Sequence, residues 1–161
     1  MCGRYRRRSD KQRIAEAFQV RVNLDDLNFG TEDDITPGSF QPVVFTNDEG
    51  DRSVELMYWG FTFPQRFTFN TRSDGILKTG FWKTSFEERR CIVPADSFFE
   101  WKRLHKKNNP KYEISIPGVN PLHWRASGAC GRTRREIMFL LSPSSRASLM
   151  RPWRRSTIDS R

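Results

Sequence analysis

The sequence predicts a single α+β domain, a mixed and strand-dominated sheet or barrel with short peripheral helices, and three observations carry that prediction. Runs such as Val54-Glu55-Leu56 alternate apolar and polar residues with the two-residue period of a strand. Turn-forming clusters, among them Asn47-Asp48-Glu49-Gly50 and residues 106–110, separate the runs at hairpin spacing. A length of 161 residues, 36% apolar and 13% aromatic, closes one hydrophobic core and leaves too little chain for two comfortable domains.

Taken in order, Ser9 followed by Gln12 is a capping-box signature, and Ile14, Ala17 and Phe18 fall at helical spacing, so a helix is predicted over residues 10–20. Residues 33–42 read as loop, punctuated by Pro37 and Gly38. Pro42 opens a strand, Val43-Val44-Phe45, that ends at the Asn47 turn. Val54, Leu56 and Tyr58 against Glu55, Met57 and Trp59 predict a strand buried on both faces toward its end. Residues 86–90 suit a short helical turn. Cys91-Ile92-Val93 and residues 98–103 read as strands broken by a Pro94-Ala95-Asp96 turn, and residues 106–110 join the second of these to Tyr112-Glu113-Ile114-Ser115-Ile116 as a hairpin. Beyond His123 the periodicity stops and Arg and Ser take over. The expected division is therefore a domain over residues 1–123 and a tail over 124–161, with the sheet incomplete at its C-terminal end.

The net charge of +9 resembles a nucleic-acid signal, but its distribution weakens that reading. Residues 1–123 balance to +2; the other +7 lies in residues 124–161, which carry nine arginines and only Glu136 and Asp159 as acids. The longest apolar runs fall far short of a membrane span, and Arg4, Arg6, Arg7 and Arg8 are followed by no apolar signal region. A soluble, intracellular monomer is expected, nuclear in a eukaryote and otherwise cytoplasmic. Cys2, Cys91 and Cys130 fit neither a disulfide framework nor a zinc pattern, so reduced thiols and no metal or organic cofactor are expected.

Met1-Cys2 carries the first chemical signal. A small second residue allows removal of the initiator methionine, which leaves an amine and a thiol on adjacent carbons. Such a 1,2-aminothiol condenses with an aldehyde to an imine, and the thiol then closes a five-membered thiazolidine, a step favoured by intramolecular proximity. Ring-opened abasic DNA presents an aldehyde of this kind. On its own, a second-position cysteine is weak evidence.

The wider pattern is specific. Cys2-Gly3-Arg4-Tyr5, Thr36-Pro37-Gly38, Trp59-Gly60-Phe61, Asn70-Thr71-Arg72-Ser73-Asp74, and Arg90-Cys91-Ile92-Val93-Pro94-Ala95-Asp96 running into Phe98-Phe99-Glu100-Trp101 occur together. Their order resembles the SRAP family of SOS response-associated peptidase-like proteins, over residues 1 to about 122. The resemblance implies that Cys2 is a nucleophile that crosslinks covalently to abasic sites in single-stranded DNA. It implies that Asn70 holds the reacting sugar or the N-terminal residue, and that Glu100 is the acid/base group. Flanking Phe98, Phe99 and Trp101 would partly withdraw that carboxylate from water, which suits it to exchange protons. Arg4 and Arg72 resemble phosphate contacts, with Arg6, Arg7 and Arg8 as an extension of the track. Trp59 and Phe61 resemble an aromatic wedge against a base. The same residues would remove Met1.

The sequence departs from the family in three places. Asp74 stands where glutamate is usual. The later Ala-Gly-Leu-Trp strand, the Thr-rich strand and the His-x-Arg-Met-Pro motif are not found, and neither His105 nor His123 matches the missing histidine. A shift of reading frame near His123 or Trp124 would account for this, since codons for Trp124-Arg125-Ala126-Ser127-Gly128 read two nucleotides later can encode Ala-Gly-Leu-Trp. Two rival readings stand beside the crosslinker: an N-terminal-nucleophile amidohydrolase, which needs an oxyanion hole, and a noncatalytic DNA-binding remnant.

Overall fold

The computed structural model describes residues 3–21, 23–72, 78, 80–102, 109–115, 122–130 and 135–141, with the backbone alone for Arg72, Phe81 and residues 122–130 and 135–141. Their elements run β1 (Tyr5–Arg7), α1 (Lys11–Phe18), β2 (Glu32–Ile35), β3 (Phe40–Thr46), β4 (Arg52–Trp59), β5 (Phe61–Phe63), β6 (Arg66–Thr68), β7 (Asn70–Arg72), α2 (Gly80–Glu88), β8 (Arg90–Ala95), β9 (Ser97–Trp101), β10 (Lys111–Ile114), β11 (Leu122–Cys130) and β12 (Arg135–Leu141). This is the expected α+β, strand-dominated architecture.

Two sheets are built from these strands. The smaller has the order β10-β9-β1-β2, and the larger β11-β8-β3-β4-β12-β7, with β11 also pairing to β12; β5 and β6 form a separate hairpin. Alternation along the central strands of the larger sheet sends apolar side chains to both faces. On one face Val43, Met57, Trp59, Cys91, Val93 and Ala95 meet Tyr5 and Ile35 of the smaller sheet. On the other, Val44 and Val54 meet Ile14 and Phe18 of α1 and Leu24. Both faces of β4 thus touch the core, but toward its end only the Met57 and Trp59 face is buried, and Leu56 and Tyr58 on the other are half-buried, short of the two-sided burial expected there. Burial of this kind stabilises by about 1.5–3 kcal/mol per large apolar side chain.

Local chemistry fixes the element ends. Asp10, not Ser9, caps α1: its carboxylate accepts from the Arg13 N–H at 2.9 Å. Ser9 is drawn elsewhere, because Asp96 accepts from its N–H at 2.8 Å, from its hydroxyl at 2.9 Å and from the Arg8 N–H at 2.6 Å. A tertiary carboxylate therefore takes the donors that a capping box would have used. The helix closes at Gln19, which adopts φ 54 in the left-handed region, and Arg52 donates to the Phe18 carbonyl at 2.7 Å.

The remaining differences follow from pairing between segments. Much of residues 33–42 is strand rather than loop, since β2 is held by β1 through Tyr5↔Ile35 and Phe40 already pairs with Tyr58. Only Thr36-Pro37-Gly38-Ser39 remains between them, a turn with Gly38 at φ +90 and its N–H donating to the Trp59 carbonyl at 2.8 Å. The helical turn expected at 86–90 is the end of the longer α2, and β8 runs through Pro94 and Ala95 to break only at Asp96. Residues 103–108 of the expected hairpin lie outside the described residues, but β9 and β10 pair as predicted, Glu100 opposite Tyr112.

Past His123, where no element was legible, the backbone forms β11 and β12. β11 lies along β8 from Leu122↔Ala95 to Ser127↔Arg90, and β12 runs parallel to β4 and then β7. The larger sheet is therefore not cut short at that point. Ladder hydrogen bonds use backbone N–H and C=O groups that every non-proline residue carries, so pairing does not require an alternating pattern.

Candidate active site

Three chain segments that are remote in sequence converge at the N-terminal end of β1. β1 runs antiparallel to β9 with Tyr5 opposite Phe98 and Arg6 opposite Ser97, and the Phe99 N–H donates to the Arg4 carbonyl at 2.9 Å. Carried on by two residues, that register sets Gly3 across from Glu100. Gly3 also abuts the segment before β7, since a Cβ placed on it would lie 3.6 Å from the Phe69 ring. Asn70 follows Phe69 directly and opens β7, opposite Phe139 of β12.

Trp59 fixes the spacing of these parts. It is fully buried, its ring lies 5.6 Å from that of Tyr5 and 6.0 Å from that of Phe69, and its indole N–H donates to the Phe69 carbonyl at 3.1 Å. One core side chain thus ties β1 to the segment that presents Asn70. Asn70 and Glu100 are both half-buried. Glu100 lines an open groove of about 390 Å³ together with Trp101, Lys102, Tyr112 and Ile114.

Of the residues singled out from sequence, Gly3's neighbour Cys2 lies outside the described residues, as does the side chain of Arg72. Arg4 is placed beside β9, where it pairs with Asp34 at 3.1 Å and its guanidinium sits 5.8 Å from the centre of the Trp101 ring. Arg6 is bound bidentately by Glu113 at 2.7 Å. Arg7 does not extend a phosphate track: it is buried, donates to Gln41 at 2.5 Å and to the Gly30 carbonyl at 2.9 Å, and burial lowers its pKa from the ordinary arginine value.

The expected wedge of Trp59 and Phe61 requires correction. Both rings are buried, Trp59 in the main core and Phe61 against Trp82 with ring centres 5.0 Å apart, so neither leaves a face open to a base. Strand aromatics turn inward because that removes the largest apolar area from water. Among the described residues, exposed rings are Phe67 on β6, Trp101 on β9, Tyr112 on β10 and Phe40 on β3. Alternation gives no signal for Trp101 and Tyr112, since Trp101 shares a face with buried Phe99 and every residue of β10 is exposed; both rings stand at the outer end of the β9–β10 hairpin.

Cys91 faces the core, and burial pushes its thiol up to about 12, so it stays protonated at neutral pH and is no rival nucleophile. Among the described residues no group of three His, Cys, Asp or Glu side chains is placed to hold a metal ion. No helix among them is long and apolar enough to cross a membrane. His105 lies outside the described residues, and His123 is described only by its backbone in β11.

The solved structure of a phage-related protein from Bordetella bronchiseptica superposes with a TM-score of 0.70 at 23% identity, covering 86% of this chain and 68% of that one. A protein from Bacteroides thetaiotaomicron gives 0.71 at 16% identity, covering 86% and 67%. At those identities the likeness concerns the fold. Among curated relatives, the abasic site processing protein YoqW of Bacillus subtilis is 27% identical over 127 residues, 74% of this chain and 56% of that protein. The abasic site processing protein HMCES of Xenopus tropicalis is 36% identical over 102 residues, 52% of this chain and 30% of that protein. The chain thus spans about half the length of YoqW and less of HMCES. The sequence model described as SOS response associated peptidase (SRAP) matches residues 1–138, past the last motif legible by eye and into β12. With a match over residues 1–138, most of its length, the chain belongs to the SOS response-associated peptidase (SRAP) family.

Proposed function

We propose that this protein processes abasic sites in single-stranded DNA by forming a thiazolidine crosslink through Cys2 once Met1 has been removed. The observation that carries the reading is the convergence at Gly3, the residue bonded to Cys2. It abuts Phe69, next to Asn70, and the β1–β9 register runs toward Glu100. The names of YoqW and HMCES, both abasic site processing proteins, support the substrate class.

In this reading the Cys2 amine adds to the aldehyde carbon of the ring-opened sugar. Glu100 delivers a proton to the departing hydroxyl, water leaves, and an imine remains. The thiol then adds to the imine carbon, its proton passing by way of the Glu100 carboxylate to the ring nitrogen. The product equals protein plus DNA less one water. Asn70 orients the sugar through its amide, and Arg4 and Arg72 receive flanking phosphates, Arg4 by exchanging Asp34 for phosphate. Removal of Met1 draws on the same Glu100 and Asn70.

Purified protein incubated with a single-stranded oligonucleotide bearing one abasic site should give a denaturation-resistant adduct of that mass. Cys2→Ala should give none, and Glu100→Gln should slow its formation by about 10²–10⁴-fold. A mature N-terminus that retains Met1, or an oligonucleotide left unmodified by the wild type, would falsify the proposal.

A further inference from the structure

We infer that the groove between β9 and β10 is a nucleobase subsite, in which the Tyr112 ring stacks on the base beside the abasic sugar and Lys102 meets its phosphate. The inference rests on the abasic-site reading and adds a residue and a position to it.

Directly opposed residues of an antiparallel pair project from the same face, so Tyr112 stands beside Glu100 and Ile114 beside Phe98. Lys102 falls in the same row as Glu100, one step farther out, and its N–H donates to the Pro110 carbonyl at 3.1 Å. The row starts at the core, where Phe98 packs against the main cluster, and opens outward into the groove of about 390 Å³. That volume falls within the range of pockets for small organic ligands.

The lining identifies the occupant. On the face that carries Glu100, Tyr112 is 50% exposed and Ile114 39%, so two neighbouring large apolar side chains stand in water, while Trp101, 38% exposed, lies with Lys111 on the other face. A grouped apolar surface of this kind marks a binding site. Lys102 is exposed beside them, and Lys111 lies on the other face of the hairpin, 3.8 Å from the centre of the Phe99 ring and 5.8 Å from that of Trp101. Aromatic rings interleaved with cations fit a single strand, whose bases offer π-faces and whose backbone is anionic. The subsite also adjoins Glu100: a base lying on Tyr112 covers the carboxylate and displaces water from it, so proton transfer is favoured only when the neighbouring nucleotide is in place.

The test is binding and adduct formation by the full chain, using one oligonucleotide with normal bases beside the abasic site and a second with base-free spacers on both sides. Tyr112→Ala should weaken noncovalent binding and slow adduct formation roughly tenfold on the first oligonucleotide, with little effect on the second. Tyr112→Phe should restore both, and Lys102→Gln should lower the slope of log affinity against log salt by about 0.7. An unchanged melting temperature for each variant shows that the fold is intact. An adduct formed at the wild-type rate by Tyr112→Ala overturns the subsite and leaves the crosslinking reading standing. Tyr112-dependent binding without any adduct overturns the crosslinking reading and supports the subsite, and neither binding nor adduct overturns both.

Discussion

Gly60 joins two constraints that sequence alone does not separate. Its φ of +131 is a conformation that side chains rarely adopt, and a Cβ there would collide with the Phe67 ring. Gly60→Ala should therefore lower stability by about 1–3 kcal/mol and push Phe67 aside, read as a lower denaturant midpoint. Trp59, next to it, shows how a motif can be recognised while the role assigned to one of its residues fails. The Trp-Gly-Phe spelling marked the place, but a ring that is buried or stacked on DNA is written with the same letter. Only the Tyr5 and Phe69 contacts decide between them. Trp59→Phe removes the donor to the Phe69 carbonyl and should cost about 1–3 kcal/mol. Cys91 admits a sharper check. With its thiol pushed up to about 12 by burial, it should resist iodoacetamide at neutral pH until denaturant is added, as followed by peptide mass. Its folded pKa lies above the unfolded value of about 8.5, so the associated stability is complete below that pH and is lost as the pH rises toward 12.

At the scale of elements, the smaller sheet shows what period-two patterning reveals and what it hides. The pattern was enough to place β9 and β10 as a hairpin, but β1 ends in Arg6-Arg7, the start of an arginine run that continues at Arg8, and has no apolar alternation to announce it. Its register with β9 comes from pairing across about ninety positions of sequence, which no local rule contains. That register lets Arg6 on β1 reach over β9 to Glu113 on β10, with its guanidinium 5.3 Å from the centre of the buried Phe99 ring. Glu113 is held below the usual carboxylate range, first by the Ser97 hydroxyl at 2.6 Å and then by Arg6. A depressed carboxylate contributes stability above its unfolded pKa and loses that contribution as pH falls through the folded one. Ser97→Ala should raise the Glu113 pKa toward its ordinary value and move acid unfolding to higher pH. Carboxyl NMR titration and a pH series of melting temperatures would register both effects, and an unmoved Glu113 titration would assign the depression to Arg6 instead.

For the whole molecule, the decisive segment is the one with the least readable sequence. Alternation and turn residues announce β3, β4, β8, β9 and β10, whereas residues 122–130 and 135–141 enter the sheet through backbone pairing that no periodic pattern announces. β11 covers one edge of β8, whose Cys91, Val93 and Ala95 belong to the main core, and β12 joins β4 to β7 and hence to Asn70. A chain ended after residue 121 would expose the β8 edge and leave β7 without its ladder partner in the larger sheet. A domain of this size has a net stability of only about 5–15 kcal/mol, and losing both strands removes many ladder hydrogen bonds at once. The shortened chain should therefore lose its cooperative thermal transition and the near-ultraviolet circular dichroism contributed by the packed Trp59. It should also form no adduct, because Asn70 is no longer fixed opposite Phe139. If the shortened chain instead melts sharply with its aromatic signal intact, the larger sheet closes without β11 and β12, and Asn70 takes its position from Trp59 and Phe69 alone.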